Sequence, residues 1–557
     1  MGSAVTSEKV ARTRLLIIGA AAFVVVLTGW LVYSYTRPGW YTLYPTDLGI
    51  YRDGGLIVRH ISPPYDGKLQ YPLYQWHATD NDSLQFTYTP FAAVFFAVVS
   101  AIPWSLLPHL VQVANLVFLL IATWFTMDAL GYSSRRTKAG GMLAGAAAGL
   151  LIEPVFRTMF LGQINLLLMA LIIWDLRQPD HRWWKGAGTG IAAGIKLIPI
   201  IFVPYLLLAR RFREAAMTVA GAAVTVLLGF LVIPADSTDF WLHGLLFNDG
   251  RTGFAGWTGN QSLYGLVTRL AGSVHAATVP WAATLLAAGV VGIASAAMFD
   301  RAGHRMLAIL TAALVGLLDS PITWDHYWIW AVPGMMVCVH YAVRAWRDGR
   351  RRDVAGCVTV AVALLLIFAP WPGRLWSAPE SGAGLFTYGL IWAGPYTPVS
   401  TYVAIGDQPW FKEYHWTGLQ NLAGNAYILA GIAMLVILAV LAWRMSRGRT
   451  LRALLLRTSD APERLSGGQA GGADGGQQPG QGADEDGGGQ AANPGFGRDD
   501  DELVFGGSVA GGGEGARSDS GGAADEAKED RFGEELDSDV AFGGPEGAAQ
   551  PDLGASF

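Results

Sequence analysis

Apolar runs long enough to cross or enter a bilayer recur along this chain, separated by short basic turns and by longer segments rich in Trp, Tyr, Pro and Gly. The first runs from Leu15 to Tyr35 behind Lys9, Arg12 and Arg14, close to the length of a bilayer crossing. No small-residue cleavage site follows at the proper distance, so it reads as a retained anchor. Further runs lie near 90–107, 110–131, 139–153, 163–177, 186–209, 214–234, 278–299, 306–320, 328–343, 354–371 and 423–444.

The basic turns fix a parity. Clusters at 135–138, 210–213, 301–305, 344–352 and 444–452 belong on the cytoplasmic side by the positive-inside rule. An odd number of crossings must then separate the first outer segment from Arg135. The run at 90–107, shortened by Pro90, Pro103 and Pro108, is assigned to the outer interface. An even number is needed between Lys138 and Arg210, so the run 186–209 must turn back on itself. Gly190, Gly194, Lys196 and Pro199 at its centre supply the means. A lone lysine in hydrocarbon is costly unless the backbone turns there near water or a ligand. The threading predicts an all-α polytopic protein with about twelve crossings.

Composition agrees with a membrane solvent: 52% of residues are hydrophobic and only 15% charged. The net charge of −5 hides two unlike parts. Thr458 to Phe557 holds 22 Asp+Glu against 5 Lys+Arg and 26 of the 70 glycines, too few apolar side chains to offset the entropy of ordering. Residues 1–457 are therefore read as the transmembrane domain and 458–557 as a disordered, acidic, Gly-rich cytoplasmic tail. The two cysteines, Cys338 and Cys357, sit in apolar segments and indicate neither a disulfide framework nor a thiolate metal site.

The same threading gathers polar residues on the non-cytoplasmic side: Asp47, Asp53, Tyr88, Glu153, Arg157, Gln163, Asn165, Lys196, Asn260, Gln261, Asp325 and His326 fall in outer segments or at outer span ends. Asp47 can take a proton from a sugar hydroxyl, or it can cap a short interfacial helix. His326, beside Asp325 and among Trp324, Trp328 and Trp330, can donate to a phosphate or sugar oxygen, or rest in an interfacial aromatic belt. Glu153 and Arg157, four apart, can pair along a helix, or the arginine can hold a phosphate as a planar fork. Lys196 needs a partner that a lipid-linked phosphate would supply, or it snorkels to the headgroups. Trp257, Asn260 and Gln261 offer a stacking face and amide hydrogen bonds of the kind sugars use, or make a plain polar turn. No phosphate-cradling glycine loop, zinc-ligand spacing or Ser-His-Asp order occurs, so no soluble-nucleotide site, metal or other cofactor is expected and no nucleic-acid partner is implied. An activated sugar outside the cytoplasm must arrive on a membrane-soluble carrier.

Six blocks carry a resemblance. TDLGIYRDGG, FTYTPFAAVFF, LIEPVFRTMFLGQINLLLMALI, GTGIAAGIKLIPIIFVPYLLLARR, GNQSLYGLVTRL and SPITWDHYWIWAVP, in this order over roughly residues 40–340, resemble the membrane glycosyltransferases of family 87. Within it the likeness is to the actinobacterial polyprenol-phosphate-mannose-dependent α-(1→2)-mannosyltransferases. The resemblance implies a GT-C fold: a transmembrane helix bundle, interfacial helices in the first outer loop, and no Rossmann domain. It also implies a polyprenyl-phosphate mannose donor, a lipid-linked glycan acceptor and inversion at the anomeric carbon. Asp47 matches the family's general base and His326 its S-P-I-S/T-W-x-H histidine. Tyr88, Glu153, Arg157, Gln163 and Lys196 are expected on the donor phosphate, and Trp257, Asn260 and Gln261 on the acceptor. Two features depart from the family pattern: Tyr327, where some members carry a second histidine, and the long segment from Pro372 to Asn421. Transfer of arabinofuranose from the same carrier, and transport of a lipid-linked saccharide, are the alternatives.

Overall fold

A computed structural model describes residues 2–36, 46–60, 73–74, 86–247, 255–371, 388–393 and 413–459. Nearly all of these are helical. In chain order the helices are α1 (Gly2–Thr36), α2 (Thr46–Val58), α3 (Pro90–Val99), α4 (Leu107–Ala129), α5 (Arg135–Leu150), α6 (Glu153–Leu161), α7 (Asn165–Leu176) and α8 (Ala187–Ile195). There follow α9 (Phe202–Leu208), α10 (Phe212–Val232), α11 (Pro234–Trp241), α12 (Leu263–Ala271), α13 (Val274–Arg301), α14 (Arg305–Asp319), α15 (Ala331–Arg347) and α16 (Arg351–Phe368). The short α17 (Leu390–Ala393), α18 (Gly418–Gly424) and α19 (Ala426–Ser459) complete the series. The one sheet among the described residues is a two-residue antiparallel pairing of Pro370–Trp371 with Tyr388–Gly389.

Among the described residues, contacts set the end of α19 from Thr450 onward apart from the unit that holds the rest. The tail beyond residue 459 lies outside the described residues.

Five helical stretches are long and apolar enough to cross a membrane: Lys9–Val32, Leu107–Ala129, Phe212–Val232, Val274–Arg301 and Ala426–Arg447. The pair Arg135–Leu150 and Glu153–Leu161, bent by 78°, makes a sixth candidate. Their outward faces carry Leu, Val and Ile open to the surroundings, for example Leu231 at 78% exposure and Val290 at 61%. Without water contact that apolar surface is favourable only against lipid. The region 90–107 does not form one long helix: α3 stops at Val99, and a proline-containing turn leads into α4.

The chain reverses at Lys196. Gly186 lies against Glu214 and Gly194 against Thr225, so α8 and α10 run in the same direction and the stretch between them must return. Gly190 and Gly221 let the two backbones meet, since a Cβ on Gly190 would stand 2.2 Å from the Thr218 carbonyl oxygen. The helix ends opposite Lys196 are tied by ion pairs. Asp128 bridges Lys138 at 2.7 Å and Arg177, and Arg211 grips Asp300, while Glu214 takes Lys185 and Arg305. These are the basic turns at 135–138, 210–213 and 301–305, gathered at one end of their helices, with the candidate site residues at the other.

Candidate active site

Asp47 lies in the first turn of α2, and Tyr51 follows one turn later on the same face. Across from them, α6 ends at Gly162 in the left-handed region (φ +70°). A Cβ at Gly162 would stand 2.6 Å from the Cβ of Leu48, so glycine both ends the helix and admits α2. That contact brings Gln163 to Asp47: the Gln163 amide Nε2 donates to Asp47 Oδ2, and its Oε1 accepts from the Tyr51 hydroxyl at 2.7 Å.

Two residues on, Asn165 opens α7. Its Nδ2 donates to the backbone oxygen of His326 at 3.1 Å, and its Oδ1 accepts from Lys196 Nζ at 2.9 Å. Lys196 closes α8 in an extended conformation and is 8% exposed. Its ammonium stands 3.5 Å from the centre of the Tyr327 ring and 5.6 Å from that of Tyr88. Among the described residues no carboxylate pairs with it; Asp47 is the acidic group whose field reaches it. Lys196, Tyr88 and Tyr327 form the polar end of a cleft of about 210 Å³, whose other walls include Phe240, Leu245 and Leu246.

Beside the cleft, Asp325 is the hub of a second cluster. Its Oδ1 accepts from His326 Nδ1 at 3.0 Å and from the His326 backbone N–H at 2.8 Å. Its Oδ2 accepts from Arg157 Nε at 3.2 Å and Trp392 Nε1 at 3.0 Å. Arg157 also stands 3.7 Å from Glu153, which is fully buried and accepts from the Tyr427 hydroxyl at 2.9 Å. Burial works against a charged Asp325, but Arg157 and His326 hold its carboxyl below the usual carboxylate range. Burial also lowers the His326 imidazole, with Asp325 opposing. His326 Nε2 is buried without a hydrogen-bond partner among the described residues. An oriented imidazole with one open nitrogen and the other on a carboxylate can exchange a proton with a bound group.

The amides of Asn260 and Gln261 are fully buried and spent on backbone. Asn260 Nδ2 donates to Ala255 and Pro321 carbonyls, and its Oδ1 accepts from Thr323 N–H. Gln261 Nε2 donates to Thr258 and Gly424 carbonyls, and its Oε1 accepts from Ile428 N–H. These bonds frame Trp257, whose ring meets Trp324 and Trp392 edge-on at 5.4 and 5.3 Å.

Of the residues singled out from sequence, Tyr88 and Lys196 line the cleft, Gln163 joins Asp47 to Tyr88 beside it, and Glu153, Arg157 and His326 gather around Asp325. Arg157 is engaged by carboxylates, and Asn260 and Gln261 present no free amide. Tyr51, Trp392 and Tyr427 were missed. Tyr51 had a signal, its four-residue spacing from Asp47; Trp392 and Tyr427 reach the site only through contacts more than sixty residues distant in the chain.

A family model described as glycosyltransferase family 87 matches residues 86–322. A Mycobacterium tuberculosis polyprenol-phosphate-mannose-dependent alpha-(1-2)-phosphatidylinositol mannoside mannosyltransferase is 31% identical over 341 residues, covering 59% of this chain and 77% of the relative. A pentamannoside mannosyltransferase of the same dependence and species is 31% identical over 408 residues, 72% of this chain and 88% of the relative. A Mycolicibacterium smegmatis mannoside mannosyltransferase is 30% identical over 356 residues, 60% and 78%. No solved structure matches. With relatives this similar aligned over more than three quarters of their length, the chain belongs to glycosyltransferase family 87 and is a membrane glycosyltransferase.

Proposed function

We propose that this enzyme transfers mannose from polyprenyl-phosphate mannose to a hydroxyl of a lipid-linked, phosphatidylinositol-mannoside-type glycan. The linkage is α-1,2, formed with inversion on the outer face of the plasma membrane. The observation that carries this reading is Lys196: a buried ammonium whose direct partners are the Asn165 amide oxygen and the Tyr327 ring, at a cleft whose walls also include Ile195, Leu197, Ile198, Phe240, Leu245 and Leu246. A phosphate on a hydrocarbon chain has that pairing of anion and oil. The names of the relatives supply the sugar and the acceptor class.

In this reading Asp47 accepts the proton of the acceptor hydroxyl through the carboxylate oxygen that Gln163 leaves open. The hydroxyl oxygen bonds to the anomeric carbon as the bond to the phosphate oxygen breaks, and polyprenyl phosphate leaves as a monoester with one more negative charge. Lys196, with Tyr88 beside it, stabilises that charge. Arg157 and Glu153 act from behind, holding Asp325 and through it His326, whose Nε2 meets a phosphate or sugar oxygen. Trp257 offers the acceptor a stacking face, framed by Asn260 and Gln261. Twelve crossings, an outward site and an inward tail complete the threading; the ion-paired basic turns at the far helix ends support its parity.

The test is transfer by the purified enzyme in nanodiscs with two synthetic donors, polyprenyl-phosphate mannose and polyprenyl-phosphate arabinofuranose, and a phosphatidylinositol mannoside acceptor. Transfer from the mannose donor, with an α-1,2 linkage by NMR, is expected. Transfer from the arabinose donor alone would overturn the sugar assignment, and transfer from neither would overturn the reaction.

A further inference from the structure

Tyr51 has no part in the chemistry above, yet it is 1% exposed and lies one turn from Asp47. Its ring stacks on Phe96 with centroids 4.2 Å apart and planes 5° from parallel. Its hydroxyl points back into the site, 2.7 Å from Gln163 Oε1 and 2.9 Å from the Tyr88 hydroxyl.

The carboxylate fixes the orientation of the amide. Asp47 as a carboxylate only accepts, so Gln163 must turn its NH₂ toward it; the flipped amide would set oxygen against oxygen. Gln163 Oε1 then needs a donor, and Tyr51 has one proton to give. The Tyr88 hydroxyl oxygen lies 2.9 Å from that of Tyr51 and 3.4 Å from Gln163 Nε2, so it borders both members of the pair. Burial pushes the Tyr51 hydroxyl well up, with the Asp47 carboxylate adding, so it keeps its proton. The rest of Gln163 is equally fixed. Its backbone N–H donates to the Thr158 carbonyl at 2.9 Å, its carbonyl accepts from Asn115 Nδ2 at 3.1 Å, and the residue is 2% exposed. Tyr88, which borders the pair, is also a wall of the cleft.

We propose that Tyr51 and Gln163 are a positioning pair: Tyr51 locks the Gln163 amide, and the amide fixes the Asp47 carboxylate so that its free oxygen faces the acceptor hydroxyl. The proposal rests on Asp47 being the base. Gln163 thereby leaves the donor phosphate and acts through Asp47 instead, and Tyr51 joins the machinery although it touches no substrate.

Tyr51→Phe removes one oxygen and keeps the ring stack, and Gln163→Leu removes both amide functions at similar volume. Full transfer kinetics are measured for wild type, each single variant, the double variant, Asp47→Asn and Asp47→Asn/Tyr51→Phe, with thermal melting of each. Misaligned reacting groups cost up to about 100-fold for an ångström of displacement. Tyr51→Phe is expected to lower kcat roughly tenfold and Gln163→Leu roughly 100-fold, with KM for donor and acceptor within about twofold. The double variant is expected to match Gln163→Leu, because Tyr51 acts only through that amide. On the Asp47→Asn background, Tyr51→Phe is expected to cost nothing further. Full multiplication of the two single effects, or a fall in Tyr51→Phe that follows its melting temperature, would overturn the pair. So would wild-type kcat in Tyr51→Phe beside an inactive Asp47→Asn, which leaves the base intact. Wild-type transfer by Asp47→Asn would instead overturn the base and with it the reading beneath the pair.

Discussion

Replacing Lys196 by Met removes the ammonium and retains an unbranched apolar stem of nearly the same length. An ammonium has three hydrogens to donate. One is spent on Asn165 Oδ1 at 2.9 Å, and the Tyr327 face lies beneath at 3.5 Å, leaving two for a phosphate in the cleft. A hydrogen bond to a charged group is worth about 1.5–3 kcal/mol, so two of them sum to about 3–6 kcal/mol, and only the part that grows as the phosphate gains charge speeds the step. Removing one preorganised donor of this kind costs about 10²–10³ in kcat. Lys196→Met is therefore expected to lower single-turnover transfer by about 100-fold or more. Lys196→Arg keeps the charge but brings a planar fork into a site shaped for a compact cation, and is expected to lose at least about tenfold. Deleting a buried charge that lacks an ion-pair partner relieves a desolvation cost, so the melting temperature of Lys196→Met should not fall. The assay is rapid-quench transfer from labelled polyprenyl-phosphate mannose in nanodiscs, with melting followed in parallel. A Lys196→Met enzyme that melts like wild type and transfers within about threefold of its rate would refute the reasoning.

Two further outcomes follow from groups away from the cleft. Asn260→Ala strips its hydrogen bonds from the Ala255 carbonyl and the Thr323 N–H, at about 1–3 kcal/mol for each buried group left unpaired, while the Pro321 carbonyl keeps the Ser262 hydroxyl. The variant should melt well below wild type; an unchanged melting temperature with a raised acceptor KM would instead mean that this amide binds sugar. Asp53, 5% exposed in α2, is pushed up by burial to about 7, against a partial opposing pull from Arg52. The folded protein then holds a proton that the unfolded chain releases near pH 4, so this group's contribution is full below about pH 4 and is lost as pH rises through about 7. Asp53→Asn should melt closest to wild type at about pH 4 and above it at pH 8, with the gap widening between them, by differential scanning fluorimetry; equal melting at pH 8 would refute the assignment.

Much of this site could be read from local spacing, because its members sit where apolar runs break. Lys196 stood out as a cation among Gly and Pro in hydrocarbon, and the chain does reverse there. Asp47 and Gln163 each flank a helix end, Gln163 just beyond the left-handed Gly162. What spacing could not convey is which partner satisfies which group. Arg157 and Glu153 were four apart and free to pair, yet Asp325, 168 positions on, lies nearer to the guanidinium at 3.2 Å against 3.7 Å. The amides of Asn260 and Gln261 looked like sugar ligands because a polar turn beside Trp257 has the same composition as one whose amides close on backbone. Trp392 and Tyr427 belong to segments whose local pattern carries no sign of the contact they make. The helices shorter than a bilayer, such as α7 and α8, pass no length test, because a helix packed among others can be brief where its ends meet polar partners.

The central claim is that Asp47 takes the acceptor proton in an inverting transfer from a lipid phosphate donor. The most direct test is single-turnover transfer by wild type and Asp47→Asn at equal folded amounts, with donor binding measured separately on each. The account predicts that Asp47→Asn binds polyprenyl-phosphate mannose within about twofold of wild type and transfers at least about 10²-fold more slowly, in line with the contribution of a general base. Transfer by Asp47→Asn at the wild-type rate would contradict it.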